Sequence, residues 1–168
     1  MNYWNQNGFP HKGWACVDVE DRREDGQSEN ETDYASCEMC GNEKLRYVHI
    51  MSHPKLDQNL EVGCICAGKM SDDYLNPGRK ENALKSKASR RSRWLTRNWK
   101  LSSKGNHHIT VDGNHLLVFL KRNDCWGYMF NKSFGSKTFK TINEAKFALF
   151  EHFWNQTQSP TRILNALK

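Results

Sequence analysis

The spacing of hydrophobic positions changes twice along the chain, and each change marks a different kind of element. From Trp14 to Val19, Ala15, Val17 and Val19 alternate with Trp14, Cys16 and Asp18, the period of a short strand. Leu45 to Ser52 repeats it, with Arg46, Val48 and Ile50 on one face and Tyr47, His49 and Met51 on the other. Pro54 ends this strand, and Asp57-Gln58-Asn59 lead into a second, Leu60 to Val62. The period then lengthens. Asn76 as N-cap and Pro77 at the first helical position open a helix on which Leu84, Ala88, Ser92, Leu95 and Trp99 form a narrow apolar stripe. Strand spacing returns at His107 to Val111 and His115 to Lys121, joined by Asp112-Gly113, a pair suited to a type I′ turn. Asn123-Asp124 turns the chain into a third strand, Trp126 to Asn131. Thr141 and Glu144 have capping-box spacing. The helix they open carries Ala145, Phe147, Ala148, Leu149, Phe150, Phe153 and Trp154, enough to cover a three-stranded sheet. Residues 1–13 have no clear period, Asp21 to Thr32 reads as a polar loop, and Arg162 to Lys168 as a last helical turn.

Four cysteines frame the first hairpin. Cys37 and Cys40 precede it, Cys64 and Cys66 follow it, and 23 residues separate the pairs. Two close pairs around a hairpin suit a tetrahedral zinc site, which would supply folding energy to a segment too small for a core. The alternatives are two disulfides or four unrelated buried thiols, and His49 or His53 could replace a cysteine ligand. No apolar run opens the sequence, and the longest, Leu116 to Leu120, is too short to span a bilayer. We therefore expect a cytoplasmic protein with no membrane partner, in a compartment that favours zinc over disulfides. Cys16 has no partner at metal spacing and reads as a buried thiol. Ala67 to Met70 begins a helical turn, so knuckle, hairpin, knuckle and helix follow in the treble-clef order.

The pattern predicts an α+β protein: a small zinc-stabilised treble-clef or zinc-ribbon-like module, a basic linking helix, and a C-terminal three-stranded antiparallel sheet packed on one helix. The expected divisions are an irregular acidic segment (1–36), the zinc module (37–75), the basic helix (76–104), the β3α domain (105–156) and a tail (157–168).

Net charge is +6, unevenly spread. Nine acids between Asp18 and Glu38 face only Arg22 and Arg23, whereas ten Lys/Arg between Arg79 and Lys104 face only Glu81. The second stretch suggests a polyanionic partner, with Lys85, Lys87, Arg90, Arg91, Arg93, Arg97, Lys100 and Lys104 as contacts. A solvated helix face, or pairing with the acidic stretch, accounts for the same charges.

The order Cys-x-x-Cys, His49-Ile50, Asn59-Leu60-x-Val62, Cys64, Cys66 resembles the cysteine-bearing HNH endonucleases over residues 37–70. The resemblance implies a structural zinc on the four cysteines, with His49 as general base and Asn59 beside it. Val48 and Ala67 stand where that family has cation ligands, which implies a scaffold that does not cleave. Residues 107–154, with Trp126 and the run Thr138-Phe139-Lys140-Thr141-Ile142-Asn143-Glu144-Ala145, are similar to the ethylene-response-type DNA-binding domain. That likeness implies a sheet face laid on DNA through Lys121, Arg122, Lys132, Lys137 and Lys140. The expectation is a non-catalytic zinc protein that holds nucleic acid, DNA before RNA, by its phosphates. The alternatives are a metal-dependent nuclease and an adaptor binding an acidic protein surface.

Overall fold

Alternating side chains in the first 62 residues build an antiparallel sheet ordered β1 (Ala15–Asp21), β2 (Tyr47–Ser52) and β3 (Leu60–Val62). The computed structural model describes residues 2–157, so the turn expected over 162–168 lies outside the described residues. Two compact units divide the chain, 1–86 and 87–168.

In the first unit the β1–β2 register slips between Cys16 and Asp18, a bulge that leaves Val17 exposed and resets the direction of Cys16. Helix α1 (Cys64–Ser71) follows β3 directly. Met39, Met51, Val62, Ala67 and Met70 are fully buried there, with Trp14, Cys37, Leu60 and Cys66 around them. Tyr3, Trp4 and Phe9 pack on this core, Phe9 stacking on Trp14. The acidic loop is fastened at its root. Arg46 donates to both carboxylate oxygens of Asp21 at 2.9 Å, and Arg23 reaches Thr32 and Tyr34.

Helix α2 runs Asn76–Ser92, shorter than the basic helix expected over 76–104 and the apolar stripe to Trp99. Asp73 Oδ1 accepts from the amides of Leu75 and Asn76 and takes the capping role expected of Asn76. At the other end, Arg93 folds back and donates to the Ser89 carbonyl and hydroxyl, satisfying last-turn acceptors. Beyond Ser92, Trp94 is fully buried in the second unit, with its indole N–H on the Lys146 carbonyl at 2.8 Å. The stripe therefore continues as core residues of an irregular segment.

The second sheet has five strands where three were expected: β4 (Lys100–Leu101), β5 (His107–Val111), β6 (Asn114–Leu120), β7 (Trp126–Phe130) and β8 (Ser133–Phe134), antiparallel and in that order. The two added strands are two-residue edges, too short to show a period. Asp112 and Gly113 both have positive φ, 49° and 76°, as a type I′ turn requires. Helix α3 (Ile142–Thr157) opens on a formed capping box: Thr141 Oγ1 accepts from the Glu144 amide, and Glu144 accepts from the Thr141 amide. Its Leu149, Phe150 and Phe153 close over Val111, Leu116, Val118 and Phe130, with Trp94 stacked on Phe153. Among the described residues, α3 is the helix packed on this sheet, against β6 and β7.

Candidate metal centres and a candidate nucleic-acid face

The first knuckle is a tight turn. Gly41 donates to the Cys37 carbonyl and Cys37 donates to Asn42, both at 2.7 Å, and Gly41 takes φ +77°, a conformation glycine adopts freely. The turn brings Cys37 and Cys40 to one side, and Cys66 of α1 completes the group, with the three sulfurs within 4.8 Å of one another. Sulfurs at 2.3 Å from a tetrahedral zinc lie about 3.8 Å apart, so small side-chain movements close the group on an ion. The Gly63 amide points at Cys37 Sγ at 3.5 Å. Burial pushes the Cys66 thiol up to about 12, with the neighbouring Cys37 adding to it although Trp4 donates to the sulfur. At Cys40 burial opposes ionisation, yet the Asn42 amide and the other two thiols hold it below its ordinary value. Three converging sulfurs make a group able to hold a soft or borderline metal ion.

Cys64 does not join them. Both residues of the second pair lie in α1, and residues two apart on a helix point about 200° away from each other. Cys66 faces the knuckle, whereas Cys64 groups with His49 of β2 and Glu81 of α2, again within 4.8 Å. A C-x-C pair in an extended knuckle can serve one ion. The same pair inside a helix is shared between two groups.

His49 is fully buried, with Nε2 3.4 Å from Glu81 Oε2 and Nδ1 3.8 Å from Cys16 Sγ. Burial holds its imidazole below the ordinary value, although the Glu81 carboxylate works the other way. Burial, and Glu81 after it, push the Cys64 thiol up. Asn59 is exposed in the turn before β3. His53 packs on Trp14 and meets the Lys12 carbonyl at 3.1 Å, and it belongs to neither group. Sequence reading missed Glu81 and Cys16. Glu81 had one signal, as the lone acid among ten cations.

Of the eight basic residues assigned to a polyanion, four are tied to carboxylates. Lys85 pairs with Glu81, Lys87 and Arg91 with Glu151, and Arg90 with Asp112. Arg97 lies over the Trp94 ring. Lys100 and Lys104 are exposed, and among the described residues no carboxylate pairs with them. Lys100 belongs to the sheet face away from α3. By strand pairing, that face aligns Lys100, His108 and Leu117 across β4, β5 and β6, beside Thr110 with His115 and Phe119 with Gly127. His108 stacks on His115 with centroids 6.0 Å apart, and Phe119 meets Phe134 edge-on at 5.6 Å. Lys121 stretches over Gly127, where an added Cβ would stand 2.5 Å from Lys121 Cε. A shallow cavity of about 350 Å³ beside Lys100 is lined by Asn98, His108, Ile109 and Thr110.

No helix among the described residues is long and apolar enough to cross a membrane. No protein-family model, curated protein or solved structure matches the chain.

Proposed function

We propose that the chain is a zinc-containing DNA-binding protein in which the first unit holds zinc and the second grips the nucleic acid. Three cysteine sulfurs favour zinc among the divalent ions a cell supplies, and the order of knuckle, hairpin and helix supports a treble-clef-like module around it. The DNA-binding part rests on charge and on the open sheet face. Residues 87–157 carry thirteen Lys/Arg against four Asp/Glu. Much of the α2 charge is spent on internal carboxylates, so the free cations gather on and around the sheet.

One observation carries the reading: the open face sets Lys100 and Lys121, without a carboxylate partner among the described residues, around stacked imidazoles and phenyl rings, with Phe134 70% exposed. Cations meet phosphates, and exposed rings stack on bases, which a single strand offers and a duplex hides. Single-stranded DNA is therefore the tighter ligand. His49, fully buried, offers no base to a phosphodiester, so the reading is one of binding.

Fluorescence anisotropy with single-stranded and duplex oligonucleotides over a salt series tests it. Lys100→Gln with Lys121→Gln should flatten the log–log salt slope by about 1–2 units, because each phosphate contact contributes nearly one. Phe134→Ala should cost about 1–3 kcal/mol on the single strand and little on the duplex. Wild-type slope and affinity in both variants would remove the sheet face from the account.

A further inference from the structure

Beside the three-cysteine group, the geometry points to a second metal site, made by His49 Nε2, Cys64 Sγ and Glu81 Oε2, for a zinc-class divalent ion. One nitrogen, one sulfur and one carboxylate oxygen converge within 4.8 Å from three different elements, β2, α1 and α2. A thiolate and an imidazole together select borderline transition ions over magnesium or calcium, which prefer all-oxygen shells. Binding replaces the Cys64 thiol proton, which leaves to solvent, with a metal–sulfur bond.

The surroundings hold each donor in the pose a ligand needs. His49 Nδ1 faces Cys16 Sγ at 3.8 Å, and the Cys16 thiol in turn donates to the Asp18 carbonyl at 3.5 Å. A proton on Nδ1, donated to that sulfur, leaves the Nε2 lone pair for an ion. The β1 bulge gives Cys16 this position, and Lys80 Nζ braces it at 3.4 Å from its carbonyl. On the other ligand, Lys85 takes Glu81 Oε1 at 2.6 Å and leaves Oε2 toward the imidazole. An unneeded histidine–carboxylate pair would not require a third, sulfur donor at the same point.

Three protein ligands leave a coordination position open, as in sites that bind a water or a small ligand. Cys64 and Glu81 also line a cavity of about 680 Å³ in the first unit, onto which Cys37, Cys40 and Cys66 open as well. The size suits a small organic ligand.

Cobalt(II) titration of the full chain, followed by its visible absorption and by elemental analysis, tests the site. The expected result is two equivalents per chain. One of them is bound roughly tenfold or more weakly in Glu81→Gln and in Cys64→Ser, while the other keeps its affinity in both variants. Glu81→Gln preserves side-chain size, so it reads the ligand role even if a larger change disturbs folding. The other equivalent, unchanged by either substitution, belongs to the three-cysteine group, so a single equivalent weakened by Glu81→Gln shows failure of the three-cysteine reading separately. Wild-type affinity for every equivalent in both Glu81→Gln and Cys64→Ser overturns the proposal, whatever the total count.

Discussion

The two units of this chain solve the same stability problem with opposite materials. Residues 1–86 carry ten Lys/Arg against fifteen Asp/Glu, and their buried core is made of methionines, cysteines and aliphatic residues around Trp14, with Tyr3, Trp4 and Phe9 partly buried against it. The described part of the second unit is strongly basic, and its core holds Trp94, Phe130, Phe150, Phe153 and Trp154. Aromatic side chains bury 150–250 Å² each and need no helper. A core of methionine and thiols in a small unit gains far less from burial, and such units commonly depend on a metal. On the proposed reading, cysteines that hold a metal stand in for the buried aromatic packing that is denser in the second unit.

The largest way to break the comparison is to take the metal away. Structural zinc contributes about 10–16 kcal/mol of binding free energy in small metal-dependent folds, which exceeds the stability of most domains. Chelation is expected to unfold the segment from Cys37 to Met70 and leave β5–β7 and α3 in place. The next effect lies in the other unit. Trp94→Ala removes a fully buried indole packed on Phe150 and Phe153, and should cost about 3–5 kcal/mol in denaturant unfolding of the second unit. Metal content should stay at the wild-type value, because no ligand is touched.

A smaller effect sharpens the account of the acidic loop. Burial raises the cost of the Asp21 charge, yet Arg46 and the Arg23 amide together hold its carboxyl below its ordinary value of 3.8. For a depressed carboxylate the contribution is fully present above the ordinary value and is lost as pH falls through the folded one. Asp21→Asn should therefore destabilise the first unit by about 1–3 kcal/mol at neutral pH. The gap between variant and wild type should close only below about pH 4. A pH series of thermal unfolding curves checks both the size and the window.

What sequence could and could not say follows from the range of each signal. Asp112-Gly113 and the Thr141/Glu144 pair act within four residues, and both formed as their local chemistry demands. The edge strands β4 and β8 have two residues each and exist only because neighbours hold them. Leu95 and Trp99 kept helical spacing after the helix had stopped, because Trp94 is drawn under α3 and core packing overrides period. At the candidate site, the knuckle pair Cys37 and Cys40 was legible from spacing, and Cys66 joined it. Whether Cys64 would join depended on where α1 begins, a boundary that spacing cannot locate. Glu81 reached His49 through tertiary structure alone, across 32 positions of sequence.

Amide hydrogen exchange of the full chain, with and without a strong chelator, tests the central claim most directly. The account predicts that exchange protection vanishes from Tyr47–Ser52, Leu60–Val62 and Cys64–Ser71 on chelation, while His107–Val111, Asn114–Leu120 and Ile142–Thr157 keep theirs. Undiminished protection in the first unit after the metal has gone, or equal loss in both units, would contradict it.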